Sequence, residues 1–317
     1  MNLGKRILLA LVLVLLIGTA KSWAQLGATE DHLGVDFLQP QISLGFSAVP
    51  VRNFEDLSGT FGSAGATMGA AIPICRWIEG ATENPTAYFF LARGQVSSDN
   101  DDISILPSFD GALRARMGIT GGIVTTHHHM YLLTVGAGFA EDKRTVSSPR
   151  LRATGSLLGK YQLDDTFAFI YGLSYSYTFD RALLLPLLGT HCTLSSNLTM
   201  HLVLPFSLDI DYAEARDLHF NFVVRANGDR IHIDQNSYPA AQSLPLYLRI
   251  AQVQAGFAVN LRLTRDVWLR GEAGIVRDRK FAIGTTESNF LSGTIQNAAY
   301  SSIVLKYRFG SFQAWGN

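Results

Sequence analysis

Between residues 166 and 180 the chain reads TFAFIYGLSYSYTFD. Phe167, Phe169, Tyr171, Leu173, Tyr175, Tyr177 and Phe179 take every odd position, and mostly small or polar residues take the even ones. Successive side chains of a strand point to opposite faces, so this segment has one aromatic face and one small, polar face. As a helix it would scatter its aromatics all round. A water-soluble sandwich strand seldom needs so many large apolar side chains in a row. A strand that crosses a membrane does, because about 9–11 residues lie in hydrocarbon with aromatic girdles at both ends.

The start of the 317-residue chain reads as an export signal. Lys5 and Arg6 precede an unbroken apolar run from Ile7 to Ile17, and Ser22-Trp23-Ala24 supplies the small residues of a cleavage site. The run is short for a spanning helix, which needs about 20 apolar residues. The expected division is a signal peptide over 1–24 and a single domain over 25–317. Removing Lys5, Arg6 and Lys21 with the signal takes the 26 basic residues to 23 against 26 acidic ones, a net charge of −3. That balance gives no footprint for nucleic acid. Beyond residue 24 no apolar run approaches helix-spanning length, so a membrane-integral chain must span by strands. In lipid an open sheet edge leaves backbone groups unpaired, so the sheet must close.

The same alternation recurs along the chain. Residues 36–46 place Leu38, Ile42, Leu44 and Phe46 on one face, and 61–72 repeat the pattern with small residues. A strand follows over 86–96, and the acidic stretch 97–107 reads as a loop. In 109–123, Leu113, Ala115, Met117 and Ile119 alternate with Asp110, Arg114, Arg116 and Thr120. Strands over 129–139 and 150–161 flank a polar loop at 141–149, and a tight turn at 162–165 leads into the aromatic strand. RALLLPLLG at 181–189 breaks the alternation and reads as a loop or short helix over one barrel end. Pro205 interrupts the apolar run 194–212, which favours a turn between two shorter strands. Asn227-Gly228-Asp229 reads as a hairpin turn between 217–226 and 230–234. A long strand over 246–263 turns at 264–266 into 267–276. Residues 277–293 read as the longest late loop, and 294–309 as the last strand.

Short turns at 162–165, 227–229 and 264–266 alternate with longer loops, the habit of a barrel with short periplasmic turns and long outer loops. The fold expected is all-β: a closed antiparallel up-and-down transmembrane β-barrel of 12–14 strands, exported to the bacterial outer membrane. Within it, YGLSYSYTFDRALLLPLLG (171–189), LVLPFSLDIDY (202–212) and VWLRGEAGIV (267–276) resemble an uncharacterised family of bacterial outer-membrane β-barrels, a domain of unknown function. The resemblance implies fold and location and brings no functional residues with it.

His127, His128 and His129 are adjacent, but strand alternation splits them between faces and no acid or Cys stands nearby. His191, Ser195, Asn197 and His201 share one alternating face, as a hydrolase would need, yet no nucleophile signature accompanies them. Cys75 and Cys192 carry no metal or redox spacing and read as unpaired thiols. No enzyme activity, cofactor or metal is expected. The predicted inner face carries Arg114, Arg116, Arg150, Arg152, Lys160, Arg270 and Lys306 against Asp110 and Glu272. Such a lumen would favour anions if open; if the charges pair with one another, they plug it. Both alternatives stay open at 12–14 strands, since about 8 strands are filled by side chains and 16–18 leave a channel. Three functions stay open from sequence: a porin-like channel or binding barrel for small polar or anionic solutes in outer-membrane lipid, an outer-membrane hydrolase, or a structural or adhesive barrel acting through its loops.

Overall fold

The structure, a computed structural model, describes residues 40–80, 86–106, 109–125, 129–144, 146, 149–178, 181–234, 245–285 and 288–309. The expected signal peptide, Leu38, Phe179, His127 and His128 lie outside them. Among the described residues, fifteen strands make one sheet. The first five are β1 (Gln41–Asn53), β2 (Thr60–Glu79), β3 (Thr86–Ile103), β4 (Ala112–Thr125) and β5 (His129–Asp142). The next five are β6 (Arg152–Gln162), β7 (Phe167–Thr178), β8 (Arg181–Ser195), β9 (Leu198–Leu204) and β10 (Ser207–Ala215). The last are β11 (Leu218–Ile233), β12 (Leu246–Arg262), β13 (Val267–Gly284), β14 (Asn289–Ile295) and β15 (Ala298–Arg308).

Sequence neighbours pair antiparallel, and β1 pairs with β15 through Leu44 opposite Leu305, which closes the sheet. β14 and β15 pair with successive parts of β13 and act as one strand, so the barrel has 14 strands. Its β1 start and β15 end lie at the same end.

The aromatic strand that constrains the sequence behaves as its alternation requires. On β7, Phe169, Tyr171, Leu173, Tyr175 and Tyr177 are exposed on the outer face, while Ala168, Ile170, Gly172, Ser174 and Ser176 face inward. The outer belt continues through Leu44, Phe46, Met117, Ile119, Leu133, Leu157, Phe257 and Ile303, all exposed. A closed sheet leaves no unpaired edge, and an apolar outer belt of this kind matches hydrocarbon rather than water. This is a transmembrane β-barrel of the bacterial outer-membrane type.

Four segments depart from the sequence reading, in one consistent way. Residues 97–103 are not loop but the upper part of β3, and 277–284 and 289–295 form the β13–β14 hairpin. Asn227-Gly228-Asp229 lies inside β11, paired with Gln252, Ala251 and Ile250 of β12. Residues 181–189 are the first half of β8, with Pro186 opposite Leu173. The Pro205 turn between β9 and β10 forms as expected. In three of these segments the polarity of the strand reverses. Low on β11, Phe220, Phe222 and Val224 point out and Asn221 and Arg225 point in; above Asp229, Arg230 and His232 point out while Ile231 and Ile233 are buried. The upper parts of β3 and β13 turn over likewise, burying Ile103, Phe281 and Ile283.

The reversal marks where the strands leave lipid. β2 has 20 residues, which at about 3.3 Å per residue is far more than a bilayer needs. At the loop end the upper ends of β1–β5 and β11–β14 close into a narrower ring. β5 and β11 meet in parallel at Glu141 and His232, and Phe54 bridges Ile295 on the other side. Inside this ring Phe54, Phe61, Ile103, Leu106, Phe109, Ile231, Leu248, Phe281, Ile283 and Ile295 form a dry core. Polar outside and apolar inside, it obeys the rule of a water-soluble barrel. Each fully buried large side chain contributes about 1.5–3 kcal/mol. β6–β10 stop short of this cap: β5 runs past its last β6 pair at Gly138, and β11 past its last β10 pair at Arg225.

Candidate functional site

Directly beneath the cap lies a layer of ion pairs. Asp229, two residues below Ile231, accepts from Arg152 Nη1 at 3.0 Å and from Arg114 Nε, with Arg116 Nη2 at 4.0 Å. Arg114 also pairs with Asp99 of β3. One carboxylate thus ties β11 to β4 and β6 across the interior. At the parallel seam, His232 Nδ1 lies 2.5 Å from Glu141 Oε2, and Glu141 Oε1 accepts from the Arg150 amide at 2.8 Å.

A second network lines β10–β13 and β15. Glu272 accepts from Arg225 Nη1 at 2.8 Å, Arg270 Nη2 at 2.9 Å and the Tyr300 hydroxyl at 2.8 Å. Arg270 Nη1 reaches Asn260 at 3.4 Å, Asn260 bonds Asn221, and Asn221 Nδ2 donates to Asp209 and Asp211 at 3.2 and 2.8 Å. Tyr300 fits because Gly256 and Gly274 face each other across β12 and β13. A Cβ on Gly256 would come within 2.6 Å of the Tyr300 hydroxyl, and one on Gly274 within 2.8 Å of its ring.

The residues proposed from sequence for the inner wall fall into three groups. Arg114, Arg116, Arg152, Arg270 and Glu272 come together in the two networks. Lys160 and Lys306 sit on the inner faces of β6 and β15. Asp110 and Arg150 stand in loops at the loop-end rim, Asp110 paired with Arg144 at 3.0 Å and Arg150 bonded to the Tyr247 hydroxyl at 3.2 Å. The sequence reading missed Asp99, Asp209, Asp211, Asp229 and Arg225. Asp99 and Asp229 lay in segments taken for loop or turn. Asp209, Asp211 and Arg225 were legible in the alternation of β10 and β11, opposite outward Leu208, Ile210 and Val224. These acids neutralise much of the basic wall.

The inner wall of β5–β8 has a different character. Leu132 pairs with Leu158, Leu158 with Gly172, and Gly172 with Leu187, so three leucines share one level. A Cβ on Gly172 would meet Leu158 Cδ2 at 3.0 Å, so Leu158 leans over the glycine. Leu187, Leu185 and Leu183 then climb the inner face of β8 toward the loop end. Thr154, Leu158, Lys160, Ile170, Ser174 and Ser176 are half-buried on their inner sides, so this sector borders space that water reaches. Leu183 is 54 % exposed, which opens that space to solvent beside the cap.

His191 and His201 face each other across β8 and β9, with ring nitrogens 3.0 Å apart. Ser195 ends β8, its hydroxyl accepting from the Asn197 amide at 3.4 Å. His129 packs on Tyr161, ring centroids 4.8 Å apart. Among the described residues, no group of three or more His, Cys, Asp or Glu is placed to hold a metal, and Cys75 and Cys192 are free.

No protein-family model and no curated protein matches the sequence. Solved structures do show likeness. An outer-membrane channel from Pseudomonas putida F1 is 6% identical, with a TM-score of 0.41, over 92% of this chain and 100% of that one. The β domain of the Bordetella autotransporter BrkA is 11% identical, with a TM-score of 0.30, over 86% of this chain and 100% of that one. The translocator domain of the autotransporter NalP from Neisseria meningitidis is 10% identical, with a TM-score of 0.33, over 88% and 90%.

Proposed function

We propose that the barrel sits in the outer membrane of a bacterial cell with its termini in the periplasm, and that it admits small polar solutes along the β6–β8 side of its interior. One observation carries this reading: the dry cap is eccentric. It seals the ring of β1–β5 and β11–β14, while on the inner faces of β6–β8 Thr154, Leu158, Lys160, Ile170, Ser174 and Ser176 stay partly exposed and Leu183 is exposed, although Ser156, Ala168 and Leu187 between them are buried. A barrel whose whole cross-section was packed would bury those faces. Because Arg114, Arg152, Arg225 and Arg270 are committed to carboxylates, the route is narrow and only weakly charged.

Conductance across a planar bilayer tests this. The folded protein is expected to give small, steady currents, and Ser174→Trp and Leu183→Trp should each reduce them severalfold. Folded barrel that never conducts, or that conducts equally with both tryptophans in place, overturns the reading.

A further inference from the structure

We propose that the β5–β8 inner wall is a binding site for an amphipathic monoanion, of the class of a medium-chain carboxylate. The inference rests on the solute route just described and narrows what that route receives. Lys160 is the starting point. It faces Met130 of β5 and Ile170 of β7 in register, with Leu158 two residues above it on the same face. Its neighbours across the ladder are therefore apolar. Unlike Arg114, Arg152, Arg225 and Arg270, it has no ion-pair or hydrogen-bond partner among the described residues. A half-buried ammonium beside apolar side chains gains most from an anion that brings its own apolar body, because the ligand then shields the charge pair from water.

The wall above Lys160 suits such a body. Leu132, Leu158 and Leu187 lie one level up, and Leu185 and Leu183 continue along β8 to the opening. Counting about 3.3 Å per residue, Leu183 stands roughly 20 Å above the Lys160 level, longer than an eight-carbon chain. Leucines interspersed with the inward hydroxyls of Thr134, Ser156, Ser174 and Ser176, above the Lys160 charge, give a largely apolar lining with few polar groups, the usual make-up of a small-ligand site. Lysine acts as a point charge, which fits one carboxylate or sulfonate and does not demand the bidentate geometry of arginine. The opposite wall, β10–β13, is dominated by self-neutralised ion pairs, and its inward Val223, Ala258 and Val276 are buried among them. The ligand should therefore lie along β5–β8 with its head toward the periplasmic turns.

The test uses the full-length barrel in lipid nanodiscs, titrated with octanoate, acetate and octanamide and followed by calorimetry. Wild-type protein is expected to bind octanoate saturably and at least tenfold more tightly than acetate or octanamide. Lys160→Gln should lose that preference tenfold or more, Lys160→Arg should retain most of it, and Leu187→Ser should weaken octanoate severalfold. Nanodiscs carrying each variant control for partition into lipid, and heat-modifiable migration on gels confirms folding. Octanoate binding unchanged in Lys160→Gln, or octanamide binding as tightly as octanoate, overturns the site. If acetate binds and permeates as well as octanoate, the solute route stands and the amphipathic site falls. If no probe binds and no current flows, the route itself falls and the site with it.

Discussion

Glu272 offers the sharpest test of how the interior is held together. Its side chain is 3% exposed, and those of Arg225 and Arg270 are 5% and 4%. Three groups donate to its two oxygens. Glu272→Gln keeps the shape and one acceptor oxygen, but leaves two guanidinium groups buried without their counter-charge. Breaking a buried ion pair from one side costs about 3–5 kcal/mol, most of it the uncompensated charge. Tyr300→Phe removes a single bond to the carboxylate and should cost less, about 1.5–3 kcal/mol. The two losses should not add, because both act on the same oxygens. Equilibrium unfolding by urea in short-chain lipid vesicles, read by tryptophan fluorescence, gives all three values. The rim pair Arg262–Asp217 is the control: Asp217 is 61% exposed, and Asp217→Asn should cost less than about 1 kcal/mol. If Glu272→Gln is as mild as Asp217→Asn, the network is solvated in the barrel and the reasoning about a structural ion cluster fails.

Three further outcomes are expected. Leu133, 55% exposed on β5, should face hydrocarbon, so Leu133→Arg should destabilise the folded barrel by about 2–4 kcal/mol in vesicle unfolding; a neutral effect would argue for a watery outer face. Phe281 is buried in the cap against Phe54, ring centroids 4.7 Å apart. Phe281→Ala should cost about 3–5 kcal/mol and speed proteolysis of the β13–β14 hairpin before the belt is cut, and simultaneous loss of both would show that the cap is no separate unit. In the β6–β7 turn, Asp164 accepts from the Thr166 hydroxyl and amide and from the Phe167 amide, and the Thr166 hydroxyl leads in holding its carboxyl below the ordinary value. A lowered value means the turn is favoured above the unfolded pKa and loosens as pH falls through the folded one. Amide exchange at Thr166 and Phe167 should therefore accelerate in acid, and should become independent of pH, beyond the intrinsic rate, in Asp164→Ala.

Much of this was legible before any coordinates. The alternation of β7 announces a lipid-facing strand, and the same phase in β4, β5, β6 and the lower half of β12 correctly sorts inner from outer residues. Lys160, Arg114, Arg116, Arg152, Arg270 and Glu272 were placed inward by that phase alone, and the closed barrel follows from the need to pair every backbone group in lipid. The segments that misled were those where the phase turns over. Residues 97–103, 227–233 and 277–284 continue their strands, but there Ile103, Ile231, Ile233, Phe281 and Ile283 are buried inside while Asp102, Arg230, His232 and Lys280 face outward.

Alternation reports which face meets the less polar medium. Within the bilayer that face is the outside, and above it the inside. Sequence therefore determined the transmembrane barrel, its outer belt and most of its polar wall, because each depends on one strand and the solvent beside it. Tertiary structure alone decided where the strands leave lipid, that β5 and β11 meet above β6–β10, and that Asp229 lies opposite Arg114 and Arg152. Those contacts join residues more than 70 positions apart. No local pattern carries the pairing of strands that meet only across a closed ring.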